Sequence, residues 1–208
     1  MWHSICVCLT PRYTGGEHND VTQPATSAKS GLRPAERYCR YPRGCRNKYK
    51  YDEKLGLWRL SKVLPLGTSF SFDFGFIPST RGEDGDPLDA LVLLDEHAFP
   101  GCIVPARLIG VLEAEQTEQG KTVRNDRLVT VIETPYNPPT FHSLQELNPQ
   151  CLDESEHFFI SYNQMEGRQF KPLGRHGLEK AQEMIEAALL THSQVRSGAG
   201  TSRSRSKK

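Results

Sequence analysis

The sequence predicts an α+β chain in which strand signals come first and helical signals last, with enough strands for a small barrel and a terminal helix to cover it. Three observations carry that expectation. Alternating or apolar segments bounded by Gly, Pro and charge clusters recur between Asn47 and Glu133, a Pro-rich break follows at Pro135, Pro138 and Pro139, and helical periodicity takes over beyond it.

The first element is a hairpin, Asn47 to Asp52 and Leu57 to Leu64, around the turn Glu53-Lys54-Leu55-Gly56. Phe70 to Ile77, Ala90 to Leu94, Ile103 to Leu112 and Arg127 to Glu133 are further strand candidates. Beyond the break, Ser143 with Glu146 and Asp153 with Glu156 each place an N-cap oxygen three residues before a carboxylate. The second pair opens a segment with Phe158, Phe159, Tyr162 and Met165 along one face. After Gly177, the residues Leu178, Ala181, Ile185, Ala188 and Leu189 make a final amphipathic helix.

At 208 residues the chain holds one ordinary domain and some spare length. Residues 1–37 mix Pro, Gly, Ser, Thr and Asn without an apolar period and read as a flexible extension; residues 193–208 read as a disordered basic tail; the domain is 38–192. The net charge of +1 hides an acidic middle, because residues 48–192 hold 14 basic and 22 acidic side chains, a balance of −8. Such a middle suits cations and an anion held together, and it argues against nucleic acid, which demands a basic groove with exposed stacking rings. The longest strongly apolar run, Ala90 to Leu94, is far short of the roughly 20 residues a membrane helix takes, and Trp2 to Leu9 lacks the basic lead and cleavage site of a secretory signal. Cytoplasm is the expected compartment. Six cysteines, including Cys6 and Cys8, are spread too thinly for a disulfide scaffold and form no zinc-type pairs. Cys102 and Cys151 read as packed thiols, and His157 as a packing residue.

The chemistry concentrates in Gly82 to Leu94, where Asp84, Asp86 and Asp89 fall within six residues beside an apolar strand. Three carboxylates so close repel one another, and a hard cation relieves that repulsion; oxygen-only donors suit Mg²⁺, which keeps waters and bridges to phosphate. A calcium loop of the EF-hand type starting at Asp84 would need Gly sixth and Glu twelfth, where Asp89 and Asp95 stand.

Asp84-Gly85-Asp86-Pro87-x-Asp89 resembles the hallmark segment of family I soluble inorganic pyrophosphatases. The similarity extends through Phe74-Gly75-Phe76-Ile77-Pro78, Pro100-Gly101, Arg107 to Val111, Lys48-Tyr49 and His157-Phe158-Phe159 to Tyr162, covering roughly Tyr38 to His192. The resemblance implies a five-stranded OB-like barrel flanked by helices, Mg²⁺ as cofactor, diphosphate as substrate and a homo-oligomer. It implies further that Asp84, Asp89, Glu115 and Asp126 hold metal, with Asp89 bridging two ions, that Asp86 orients or deprotonates the attacking water, and that Lys48, Lys62, Arg127 and Tyr162 contact phosphate. Glu115 and Asp126 stand in a stretch where Gln116 and Asn125 are the alternatives for the family's second acidic pair.

The departures from the family pattern add cations and remove hydroxyls. Arg40 and Lys50 stand where the family carries acids, Phe70 and Phe74 where tyrosines are common, Lys62 in place of an arginine and Asn163 in place of a lysine. The expected activity is Mg²⁺-dependent hydrolysis of diphosphate, and the alternative is a catalytically degenerate phosphate- or partner-binding module.

Overall fold

The computed structural model describes residues 38–52, 55–134, 136 and 138–202, with Tyr38 and residues 196–202 as backbone. Strands β1 (Tyr38–Tyr41), β4 (Asp73–Phe76), β5 (Asp89–Leu93), β6 (Ala106–Glu118), β7 (Lys121–Arg124), β8 (Arg127–Ile132) and β9 (Gln169–His176) form one mixed sheet, while β2 (Asn47–Asp52) and β3 (Leu57–Val63) form a separate hairpin. Helices α1 (Pro149–Met165) and α2 (Leu178–Ser202) complete the chain. The sheet runs β1-β4-β5-β8-β6-β7 with β9 on the other side of β6, and its ladders are antiparallel apart from the parallel pair β5–β8.

The sheet has seven strands, and among the described residues no ladder joins β1 to β7 or to β9, so the described ladders do not close into the expected five-stranded barrel. The difference originates in β6, which continues past Leu112 to Glu118 and so has length for three partners, β8, β7 and β9. Its return turn uses Gln119 and Gly120, both at positive φ (50° and 78°), so the stretch between Glu115 and Asp126 is a hairpin.

Alternation along the strands sends side chains to two cores. Leu91 and Val129 pack with Phe159 and Tyr162 of α1, whereas Ala90 and Leu128 pack with Ala181 and Ile185 of α2. Each helix therefore covers one face of the same strands. Gly110 makes the crossing tight: a Cβ there would lie 2.6 Å from the His176 carbonyl oxygen and 3.2 Å from Leu144, at the point where the β6–β8 register slips.

Helix α1 starts earlier than its sequence signal. Asn148 caps it, accepting the Gln150 N–H at 3.0 Å, and Pro149 takes the first position, where a missing N–H costs nothing. Asp153 and Glu156 lie inside the helix instead, and both receive Arg175 of β9, at 2.5 Å to Asp153 and 2.8 and 2.9 Å to Glu156. At the other expected capping box, Ser143 precedes a short 3₁₀ turn, Leu144–Glu146, and its hydroxyl meets the Glu146 carboxylate at 3.1 Å. The helical backbone of α2 continues to Ser202, ten residues beyond His192. Cys39, Cys45, Cys102 and Cys151 are free thiols; Cys151 and His157 are exposed rather than packed. Cys6 and Cys8 lie outside the described residues. No described helix is long and apolar enough to cross a membrane.

Candidate active site

The loop before β5 is held from several sides. Ile77 N–H donates to Leu88 O at 2.9 Å, Leu88 N–H to the Thr80 hydroxyl at 2.9 Å, and Gly82 N–H to Asp86 O at 2.8 Å. Thr80 is buried, so this anchor is shielded from competing water. Gly85 turns the chain at φ +89°, a conformation that side chains resist, and Arg81 packs against the space a Cβ would fill, 3.2 Å away. The result places Asp84 and Asp86 at an exposed loop tip, with Asp86 N–H donating to Asp84 Oδ1 at 3.0 Å, and Asp89 at the first position of β5. Partial burial, with the charges of Asp89 and Asp86 adding to it, pushes the Asp84 carboxyl above the ordinary range against the opposing Asp86 N–H.

The parallel register sets Asp89 beside Arg127. Arg127 Nη1 lies 2.9 Å from Asp89 Oδ2 and also donates to Asn125 O (2.9 Å), Asp126 O (3.0 Å) and Asn125 Oδ1. Its guanidinium carbon is 5.0, 5.4 and 5.6 Å from the ring centres of Phe159, Phe74 and Phe170, and Arg127 is only 5% exposed. Among the described residues its Nε–H is buried without an acceptor. Arg40 approaches the other Asp89 oxygen at 3.9 Å while stacking on Phe76 at 4.2 Å.

Lys48 on β2 and Tyr162 on α1 meet across the site, Lys48 Nζ donating to the Tyr162 hydroxyl at 2.9 Å. The ammonium also sits 5.0 Å from the Tyr162 ring centre and 5.4 Å from that of Tyr41. Tyr41 was not among the sequence candidates, although it adjoins Arg40; burial pushes its phenol well up, with Arg40 opposing and Asp89 and Tyr162 adding to the rise. Phe70 and Phe74 stack on Tyr41 at 4.6 and 5.3 Å between centres, so these two tyrosine-to-phenylalanine departures pack rather than present hydroxyls. Asn163 turns back into its own helix and donates to Phe159 O at 2.8 Å. Lys62 is ion-paired with Glu166, which also receives Arg168 at 3.5 Å. Lys50 is exposed on β2.

The structure treats the two expected partners of the aspartate loop differently: Asp126 shares a cavity with Asp84 and Asp89, and Glu115 does not line it. On β6 the residue at the Arg127 face is Gln116, whose Oε1 accepts Asn125 Nδ2 at 2.8 Å; Glu115 projects to the opposite face by strand alternation. Asp126 accepts the Ala114 N–H at 2.9 Å and the Arg124 guanidinium at 2.7 Å, and Arg124 also holds Glu113 at 2.9 Å. Asp84, Asp89, Glu113 and Asp126 line one cavity of about 520 Å³ between the loop and α2, together with Arg124 and Lys180. Among the described residues no three His, Cys, Asp or Glu side chains converge as a metal centre. In donor chemistry Asp84 and Asp86 fit one hard cation that keeps waters or substrate oxygens, as Mg²⁺ does. A carboxylate-rich centre for several ions does not fit, because the remaining carboxylates are engaged by arginines.

A mixed sheet with a helix on each face, Asp89 paired with Arg127 at the start of β5, and Lys48 on β2 meeting Tyr162 on α1 make up an acid-rich site with cationic side chains suited to an anion. The chain belongs to the inorganic pyrophosphatase family, whose model matches residues 38–192. It is 34% identical to the inorganic pyrophosphatase of Nostoc sp. over 149 residues, covering 70% of this chain and 84% of that one, and 35% identical to that of Methanosarcina acetivorans, covering 71% and 85%. Among solved structures, the inorganic pyrophosphatase from Thermus thermophilus superposes with a TM-score of 0.70 at 30% identity over 79% of this chain and 95% of that chain.

Proposed function

We propose that the chain hydrolyses inorganic diphosphate to two phosphates in a Mg²⁺-dependent reaction. The observation that carries this is the pinned Asp84-Gly85-Asp86-Pro87-Leu88-Asp89 loop in a chain of this family, with the Lys48–Tyr162 pair as the candidate phosphate contact. Asp84 and Asp86 are the residues that would hold the cation, which when bound lowers the pKa of a water and shields the charge of the substrate. Asp86, exposed and unburdened by an ion pair among the described contacts, would hold the cation through one carboxylate oxygen and take the proton from the attacking water with the other. Lys48 and the Tyr162 hydroxyl bind the phosphate that leaves, and Lys62 joins them by exchanging Glu166 for a phosphate oxygen. Arg127 is too buried to lead the binding; it orients Asp89 and supplies positive charge from behind.

The exposed apolar side chains of the β2–β3 hairpin, Leu57, Leu60 and Val63, support self-association into a homo-oligomer. One observation favours a second reading, a non-catalytic phosphate-binding module: Asp89 is already neutralised by Arg127 and Arg40. Phosphate release from diphosphate with Mg²⁺ tests the first reading, and binding of inorganic phosphate without any turnover of diphosphate marks the second.

A further inference from the structure

We infer that this chain holds a single divalent cation, at Asp84 and Asp86, and that Arg127 closes Asp89 to metal so that no second ion is bridged there. The inference rests on the proposed diphosphatase reading. Three features of the site close Asp89, and the loop carboxylates without an ion pair, Asp84 and Asp86, are then the donors left to a hard cation.

First, both oxygens of Asp89 face guanidinium nitrogens, at 2.9 Å from Arg127 and 3.9 Å from Arg40. Arg127 is not a side chain that can swing out to admit an ion: three rings enclose it, and Nη1 is tied to two backbone carbonyls and the Asn125 side chain as well as to Asp89. A fixed guanidinium beside a carboxylate repels a cation and occupies the lone pairs the cation needs. Second, the neighbours that share this face are the amides Gln116 and Asn125, hydrogen-bonded to each other, which bring no negative charge to offset a second ion. The nearby carboxylates Glu113 and Asp126 are spent on Arg124. Third, Arg127 is more than nine-tenths buried with its Nε–H unpartnered among the described residues, so this cation holds charge in the site in excess of what its own contacts use. That positive charge, with Arg40, does for the anionic substrate what a second metal would do: it stabilises negative charge without reorganisation.

The test is Mn²⁺ alone, without diphosphate, added to the purified full-length chain and followed by equilibrium dialysis and electron paramagnetic resonance. The expected result is one Mn²⁺ per chain with the spectrum of an isolated ion. Asp84→Asn weakens its binding by more than about tenfold, the scale on which even indirect disruption of a metal site acts, and Asp89→Asn changes it by less than about threefold. Two ions per chain, a spin-coupled pair, no bound ion, or loss of the ion in Asp89→Asn would each overturn the inference. A double variant, Arg40→Glu with Asn125→Asp, adds two carboxylates to the face of Asp89 but keeps Arg127 beside it, and is expected to stay at one Mn²⁺; uptake of a second ion would show that Arg127 does not close Asp89. Folding of each variant is checked by circular dichroism. These readouts are independent of turnover, so a chain that binds one ion and releases no phosphate would sink the diphosphatase reading while leaving the single-ion site in place.

Discussion

Lys48 and Tyr162, 114 positions apart in sequence, meet with the ammonium donating to the phenol at 2.9 Å and join the β2–β3 hairpin to helix α1. The hairpin has no ladder to the main sheet among the described residues, and this contact ties it to α1 together with the Lys62–Glu166 ion pair. Replacing Tyr162 by Phe removes the hydroxyl and leaves the ring stacked on Phe158, 6.0 Å between centres. A hydrogen bond to a charged group contributes about 1.5–3 kcal/mol. The expected outcome is a lowered urea midpoint together with a fall of about 10- to 100-fold in kcat/KM for diphosphate, checked by urea denaturation and steady-state phosphate release.

Arg127→Met leaves Asp89 without its closest partner inside a largely buried site. Breaking such a pair from one side costs about 3–5 kcal/mol, because the surviving charge stays desolvated. Urea denaturation reads the loss; a change below about 1 kcal/mol would show that Asp89 turns to solvent and that the pair is not structural. Lys180→Met, which breaks the exposed Lys180–Glu183 contact at 3.3 Å, is the control and should be close to neutral.

Asp73 gives a pH dependence away from the site. Burial raises its carboxyl above 3.8 even though the N–H groups of Arg43 and Ala98 donate to it at 2.7 Å each and oppose the rise. The native state then holds its proton to higher pH than the unfolded chain does, so this residue's contribution to stability falls as pH climbs from about 3.8 through the raised native value. Asp73→Asn removes that slope. Comparing urea midpoints of the two proteins between pH 3.5 and about 6.5, a range that brackets ordinary carboxylate titration, should show the gap widening toward low pH; a constant gap would contradict it.

The aspartate loop and the β2–β3 hairpin were legible in sequence because their information is local: Gly85, Pro87 and three carboxylates in one case, alternation around Gly56 in the other. The facing of Glu115 and Asp126 was not, because it depends on parity along β6, and parity could be counted only once β6 was known to run to Glu118 and turn at Gln119-Gly120. Strand β9 carries Pro172, which weakens a strand signal; it is tolerated because β9 lies on β6 at a register shift between Glu113 and Ala114. Asn148-Pro149 is a helix start by residue chemistry, but the Asp153–Glu156 spacing imitates one, and only the arrival of Arg175 shows what those carboxylates serve.

Thiol chemistry separates the cysteines. Burial pushes the Cys39 thiol far up, with Asp73 and Cys102 adding to it, so almost no thiolate forms near neutral pH. Cys151 is exposed at the start of α1. Iodoacetamide at pH 8 followed by peptide mass spectrometry should find Cys151 alkylated in the native protein and Cys39 only after unfolding; the reverse order would contradict the packing around Asp73.

Phosphate release from diphosphate by the purified chain, with and without Mg²⁺ and beside the Asp86→Asn variant, tests the central claim most directly. The account predicts Mg²⁺-dependent release that falls about 10²- to 10⁴-fold in the variant, as the loss of a positioned base does. A folded wild-type chain that binds inorganic phosphate and releases none from diphosphate would contradict it, and the arginine-neutralised Asp89 would then belong to a binding module.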